Sequence, residues 1–306
     1  MHAVRTALCV IAAVLGAATG AGSQGATPRD ALLVSAEWLA QHRADPDLVL
    51  FHVGPPASYA EAHIPGARQA NYVELAAAGE RAGKTLEMLP ATVLRGRLAA
   101  LGVSDRSHVV VYFAKGWISP AARVVFTLDY AGLSKVSLLD GGLEEWTRGG
   151  REVTTAASPA TPGNLSPLET KPTVVDAAFV KAHLNTAGYS VVDGRTAPFY
   201  DGVETGGGPK PHRTGHIAGA LSVPFNTLFD AQGALLPAPE LSALFARAGA
   251  KPGDTIVGYC HIGQQATAML FAARTLGYRV LLYDGSFEDW TWHADYPVEN
   301  PSAKKQ

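Results

Sequence analysis

Four runs of consecutive apolar residues recur along the chain: Asp47-Leu-Val-Leu-Phe-His52, Ser107-His-Val-Val-Val-Tyr-Phe113, Tyr189-Ser-Val-Val-Asp193 and Asp254-Thr-Ile-Val-Gly-Tyr259. They are rich in β-branched and aromatic residues and do not alternate with polar ones, so each predicts a strand buried on both faces. Two further strands are predicted to end at Asp140 and Asp284. Helical spacing fills the intervals, as in Ala266-Thr-Ala-Met-Leu-Phe-Ala-Ala-Arg-Thr-Leu276, which stops at Gly277. Such alternation predicts an α/β fold of parallel sheets covered by helices on both faces.

The same segments show that the pattern occurs twice. Ala62-His63-Ile64-Pro65-Gly66-Ala67 recurs as Gly215-His216-Ile217-Ala218-Gly219-Ala220, and Val136-Ser-Leu-Leu-Asp140-Gly-Gly-Leu-Glu-Glu-Trp146 as Val280-Leu-Leu-Tyr-Asp284-Gly-Ser-Phe-Glu-Asp-Trp290. Several matched positions in one order identify two homologous units. Between them, the Thr-, Ser-, Ala- and Pro-rich stretch from Thr154 to Pro167 has linker composition. The expected organisation is a first domain over residues 27–153, a linker over 154–172 and a second domain over 173–306.

The copies differ where chemistry is expected. Cys260 stands at the end of the strand Thr255-Ile-Val-Gly-Tyr259, followed by His261-Ile-Gly-Gln-Gln265 and then the helix. Backbone amides of a tight turn and the positive end of a helix dipole favour an anion, so a thiol here is a candidate nucleophile. A buried, inert cysteine is the bland alternative. The flanking His261 and Gly263, in place of core residues, argue against it. In the first unit Ala114 takes the place of the cysteine, and His52 and Gly54 stand where the second has Asp193 and Arg195. The first unit is therefore expected to be catalytically dead and to act as a wall of the cleft. His63 and His216 read as turn residues bonded to backbone, and Trp146 and Trp290 as core.

A tandem α/β repeat with a live cysteine loop only in its second copy resembles the two-domain rhodaneses, the thiosulfate and mercaptopyruvate sulfurtransferases. The resemblance runs from about Ser35 to Val298 and rests on the His-Ile-x-Gly-Ala segments, the Asp-Gly-x-x-x-x-Trp segments and Cys260-His-Ile-Gly263. It implies two rhodanese-like domains and sulfur carriage on Cys260 as a persulfide. The cradle would be His261, Ile262, Gly263, Gln264 and Gln265, and the partners a small-molecule sulfur donor and a thiophilic acceptor such as cyanide or a thiol. Departures fall at the expected substrate contacts. Thiosulfate-type members carry basic residues where His261 and Ile262 stand. Mercaptopyruvate-type members carry a serine at the position of Ile262, and an Asp and a His at those of His52 and His63. Both types have an arginine at the position of Phe199, for which Lys210, His212 or Arg213 are candidate substitutes.

Thiosulfate is the expected donor, because Ile262 removes the hydroxyl that would handle a proton for a pyruvate-type leaving group. Arg195 is expected either to attract an anionic donor or to anchor the loop through an ion pair. Two rival functions fit a loop cysteine less well or equally. A cysteine phosphatase needs an arginine six residues after the cysteine, where this chain has Ala266. A sulfur-binding or redox-sensing module would modify Cys260 reversibly without turnover.

Composition adds exclusions. A formal net charge of −2 with no basic run gives no reason to expect a nucleic-acid or membrane-surface partner. No dinucleotide fingerprint or metal-ligand cluster is present in the sequence, so no cofactor is expected, and oligomeric state is not legible. Residues 1–26 read as a secretory signal peptide: one early charge, Arg5, then the apolar run Ala7 to Leu15, then small residues with cleavage between Ala18 and Ala26. The run is too short to span a bilayer comfortably. The expected location is periplasmic or secreted, with no membrane attachment after cleavage. Removal takes Cys9 with it, leaving Cys260 without a disulfide partner in an oxidising compartment. N-terminal sequencing of the native protein should therefore give a start between about Thr19 and Thr27. An uncleaved Met1 would overturn both export and the lone thiol.

Overall fold

The computed structural model describes residues 27–77, 84–159, 161–206 and 213–303. The signal segment, Lys210 and His212 lie outside the described residues.

The four apolar runs form the central strands of two parallel sheets of five strands each. In the first unit the strands are β1 (Leu33–Val34), β2 (Leu48–Val53), β3 (Arg68–Gln69), β4 (His108–Phe113) and β5 (Val136–Leu139), in the order β1-β5-β4-β2-β3. In the second they are β6 (Val174–Val175), β7 (Tyr189–Asp193), β8 (Leu221–Ser222), β9 (Thr255–Tyr259) and β10 (Arg279–Tyr283), in the equivalent order β6-β10-β9-β7-β8. The two-residue edge strands are too short for periodicity to announce them.

Alternate residues of each strand serve different cores, as the period of two requires. In the first unit Leu50, Val110, Tyr112 and Leu139 face α1 (Ala36–His42) and join Trp146. Val49, Phe51, Val53, Val109, Val111 and Phe113 belong to a second cluster that continues without a break into Ile256, Met269, Leu270 and Leu282 of the second unit. The units therefore share one core. At its centre α3 (Ile118–Tyr130), which follows Ala114, packs on α7 (Gln265–Thr275), which follows Cys260. Ile118 through Asp129 are all buried, as are nine of the residues of α7. A helix apolar nearly all round belongs between two layers and not on a surface. Numbering by appearance, α2 is Ala91–Ala100, α4 Gly142–Arg148, α5 Ala177–His183, α6 Ala238–Ala248 and α8 Ser286–Trp292.

The repeated Asp-Gly motifs act across the junction. Asp284 accepts the backbone N–H of Met88 at 2.7 Å, and Asp140 accepts that of Leu235 at 2.8 Å. Each unit thus holds a strand-end carboxylate against a backbone segment of the other. Trp146 and Trp290 are buried, and their indole N–H groups donate to the carbonyls of Glu152 and Pro297. The stretch with linker composition is strapped down: Thr154 bridges His63, Leu165 is buried, and Ser166 caps both oxygens of Asp105. Among the described residues no helix is long and apolar enough to cross a membrane.

The first unit closes its empty site with a neutral network. Tyr112 accepts the N–H of Ile64 at 3.0 Å and its hydroxyl faces His52 Nδ1 at 3.1 Å. His52 Nε2 lies 2.9 Å from Ser58 Oγ, which donates to the Pro55 carbonyl. With the Ser58 proton so committed, Nε2 donates to Ser58 and Nδ1 accepts from Tyr112, which assigns a neutral imidazole. A Cβ on Gly54 would fall 2.4 Å from Ser58 Oγ and 2.8 Å from His52 Nε2, so a larger side chain has no room there. Burial, then the nearby His63, lowers the His52 pKa from 6.5 to about 4. The sign follows directly. Between those two values the unfolded chain binds a proton that the folded chain refuses, so stability falls as pH drops through this window and is untouched above it. The loss is on the order of 3 kcal/mol. Denaturant titrations across the window should show it, and a folded His52→Gln variant should show a shallower dependence; parallel curves would remove His52 from the acid response.

Candidate active site

Strand β9 delivers Cys260 fully buried at the C-terminal edge of the second sheet. Its backbone N–H donates to Ser286 Oγ at 3.2 Å. The carbonyls that follow are captured one after another: Cys260 O by Phe287 N at 3.0 Å, His261 O by Glu288 N at 3.0 Å, and Gly263 O by Arg123 Nη1 at 3.1 Å. Among the described residues every peptide is trans, which points each carbonyl oxygen and the next amide hydrogen to opposite sides of the C–N bond. Capturing these three oxygens turns the amides of His261, Ile262 and Gln264 away from their captors. The amides of Ile262, Gly263 and Gln264 donate to no acceptor among the described residues. Helix α7 starts at Gln265 and adds its positive end to the same loop. Loop amides without a protein acceptor, before a helix N-terminus, suit a thiolate or persulfide.

Gly263 makes the turn possible. Its φ is +82°, and a Cβ there would lie 2.9 Å from the Asp284 carbonyl oxygen and 3.0 Å from Arg123 Nη1. Only glycine suits that conformation and space.

Two of the captors, Phe287 and Glu288, lie in one short segment with Asp284 and Ser286. Ser286 is buried with φ +54°, accepts the Cys260 amide and donates to the Tyr283 carbonyl at 2.9 Å. The Glu288 carboxylate is held by the backbone and hydroxyl of Thr85 at 2.9 and 2.8 Å. Asp284 accepts from Met88 and, at 2.7 Å, from Arg123. Thr85, Met88 and Arg123 belong to the first unit, so the cradle is fastened from across the junction. Sequence reasoning missed Ser286, Asp284 and Arg123 as site residues. A signal did exist for one: Gly142 at φ +59° aligns with Ser286, so a serine had replaced glycine in an uncommon conformation beside the live loop.

Arg195 is committed to structure. Its Nε meets both oxygens of Asp193 at 3.0 Å, and its Nη2 meets Asp193 Oδ2 at 2.6 Å and the Gly215 carbonyl at 2.7 Å. It is 2 % exposed and lies 4.2 Å over the ring of Phe287. Burial opposes the charge, but the charge and hydrogen bonds of Asp193, with smaller contributions from Tyr259 and Cys260, outweigh it and raise the Arg195 pKa. Of the two roles expected for Arg195, this geometry supports the anchor.

The remaining loop residues are half-exposed at the mouth. His261 packs edge-on against Phe199, with ring centres 4.5 Å apart. Gln264 Nε2 reaches Ser119 Oγ of the first unit at 3.4 Å, and Gln265 Oε1 is buried without a hydrogen-bond partner. Arg213 donates from Nη1 to the Tyr296 carbonyl. His63 and His216 stack on Tyr59 and Tyr200 and bond the carbonyls of those same residues, as turn residues do.

Comparison with known proteins agrees with this architecture. The Rhodanese-like domain family matches twice, over residues 35–148 and 176–293. The chain is 32% identical over 281 residues to the 3-mercaptopyruvate sulfurtransferase of Escherichia coli strain K12, covering 87% of this chain and 97% of that protein. It is 30% identical to the mitochondrial thiosulfate/3-mercaptopyruvate sulfurtransferase 1 of Arabidopsis thaliana, covering 88% and 78%. The thiosulfate sulfurtransferase of Pseudomonas aeruginosa is 28% identical, covering 88% and 97%. Among solved structures, the anaerobic ergothioneine biosynthesis enzyme from Chlorobium limicola shares the fold, with a TM-score of 0.79 at 22% identity over 89% of this chain and 71% of that one. With two copies of the domain and relatives of this kind along nearly its whole length, the chain belongs to the rhodanese-like family as a tandem-domain sulfurtransferase.

Proposed function

We propose that this sulfurtransferase carries sulfane sulfur on Cys260, with thiosulfate as donor and cyanide or a thiol as acceptor. The observation that carries this reading is the capture of three loop carbonyls, which turns the intervening amides to one side of the loop around a buried thiol.

The chemistry balances without a cofactor. The Cys260 thiolate attacks the outer sulfur of thiosulfate, a new S–S bond forms, and sulfite leaves with the electron pair of the bond that breaks. The resulting persulfide keeps one negative charge, and the loop amides and the end of α7 stabilise it. Cyanide then attacks the terminal sulfur, leaves as thiocyanate and restores the thiolate. Both guanidiniums near the loop are paired with carboxylates, Arg195 with Asp193 and Arg123 with Asp284. Amide dipoles of the loop and the start of α7 then contribute to meeting the donor charge.

A second donor, 3-mercaptopyruvate, is favoured by the name of the Escherichia coli relative. Here the thiolate attacks the mercapto sulfur, the C–S bond breaks, and the enolate that leaves takes up the displaced thiol proton to become pyruvate. Ile262 offers no hydroxyl to relay that proton. Sulfite leaves without needing one. We also propose export, on the leader-like residues 1–26.

Cys260→Ser should show no gain of one sulfur atom in intact mass after exposure to thiosulfate, and no turnover with either donor; retained activity would remove Cys260 from the mechanism. Specificity constants measured side by side with cyanide should favour thiosulfate, and a higher value for 3-mercaptopyruvate would reverse the choice of donor. Arg195→Met strands the fully buried Asp193 and should cost about 3–5 kcal/mol, read as a lowered melting temperature. An unchanged melting temperature with a raised KM would return Arg195 to donor binding.

A further inference from the structure

We propose that Arg123, on the catalytically dead unit, is a positioning residue for sulfur transfer: it holds the Gly263 carbonyl outward and thereby aims the Gln264 amide at the sulfur of Cys260. This rests on the reading of Cys260 as sulfur carrier.

Arg123 is 1 % exposed and comes from the helix that follows Ala114. Its Nη1 donates to Gly263 O at 3.1 Å and to Asp284 Oδ1 at 2.7 Å, and its Nη2 to the Leu86 carbonyl at 2.9 Å. One rigid fork therefore links the cysteine loop, the strand-end aspartate and a backbone segment of its own unit. The other two captured carbonyls are held from within the second unit, by Phe287 and Glu288. Arg123 is the captor that fixes the far end of the cradle, next to the start of α7. Ser119, one turn earlier on the same face of α3, touches Gln264 and marks the same peptide as a contact between units.

Two comparisons within the chain separate this role from simple docking. Asp140, the counterpart of Asp284, has an arginine too, Arg29 at 3.9 Å, but the hydrogen bonds of Arg29 go to the carbonyls of Leu235 and Leu236 and none reaches the Ala114 loop. The junction at Asp140 is thus held without any contact to a loop. In α7, the position aligned with Arg123 is Met269, a buried apolar residue. Of the two strand-end loops, after Ala114 and after Cys260, the one gripped by a buried guanidinium from the other unit is the one that carries the cysteine.

The energetics point the same way. An apolar substitute for a buried ion pair is often neutral or stabilising, so the pair is weak as a device for stability alone. Arg123 Nε is also buried with no hydrogen-bond partner, a cost accepted while the other two nitrogens reach three fixed oxygens. Its placement is dictated by what it grips.

The test uses the full-length protein with Arg123→Lys, Arg123→Met and the double variant Arg123→Met with Asp284→Asn, which leaves no buried charge alone. Melting temperature, kcat and KM for thiosulfate, and the single-turnover rate of sulfur loading by intact mass would be compared with wild type. The double variant should melt near wild type, with kcat and loading rate lowered roughly tenfold or more and KM within about twofold. Lysine can keep the ion pair but not grip three oxygens, and should recover only part of the rate. Wild-type kcat in the double variant, or in Arg123→Lys if the double variant does not fold, would overturn the proposal. A purely structural role would lower the melting temperature and leave kcat per folded molecule unchanged, which also overturns it. If wild type itself gains no sulfur, the sulfur-carrier reading fails instead, and the rate of Cys260 alkylation by iodoacetamide then tests the aim of the loop: equal rates in Arg123→Lys and wild type would sink it.

Discussion

The packing of α3 against α7 is the constraint on which the rest of the molecule depends. Each helix starts directly after a strand-end loop, one beginning with Ala114 and the other with Cys260, and each is buried along nearly its whole length. Burial on all sides is possible only because the other unit supplies the second wall, so the two units form one continuous core. From that contact follow the positions of Arg123 and Ser119 against the cysteine loop, and of Met88 and Thr85 against the Asp284–Glu288 segment. A loop that must expose its own amides to a reacting sulfur cannot use them to hold itself in place. Its carbonyls are held instead, and one of the captors comes from across the junction.

The first unit, with Ala114 in place of the cysteine, has a different set of residues around the equivalent tyrosine. Where the second unit has the Asp193–Arg195 pair around Tyr259, the first has His52, Gly54 and Tyr112 in a neutral hydrogen-bond network. Both arrangements keep the tyrosine hydroxyl on the backbone of the following His-Ile segment, to Ile64 in one and Ile217 in the other. That structural duty is met in the first unit without a cysteine. With Gly54 crowded by Ser58 and His52, the first unit has no space for an ion pair like that of Asp193 and Arg195. The unit kept its packing face and its role as anchor.

Both arginines near the site are charge-neutralised, which changes how an anionic donor is met. Arg195 spends its donors on Asp193 and Gly215, and Arg123 on Asp284, Gly263 and Leu86. On the proposed reading of Cys260 as sulfur carrier, the loop amides offer a field that needs no reorganisation when charge develops. The fully buried sulfur, with half-exposed His261, Ile262, Gln264 and Gln265 at the mouth, places that field away from bulk water, where it is worth most.

The sequence by itself determined the strand-helix alternation, the duplication, the asymmetry between Ala114 and Cys260 and the glycine at 263, because each is carried by local pattern or by one residue type in one turn. Strand limits differ by a residue or so, as at Leu48–Val53, and the two-residue edge strands carry no period to read. The turn between Tyr259 and the helix that starts at Gln265 was legible for the same local reason. Arg123, Asp284, Ser286 and Glu288 were not, since nothing in a run of apolar helix or an Asp-Gly turn shows which loop it will meet. Arg195 was legible as a charge but not as a role, because only the approach of Asp193 and Gly215 decides whether a guanidinium is free for a ligand. Contacts between residues separated by more than a hundred positions are products of packing, and packing of two units on a shared core is what the tertiary structure alone decided.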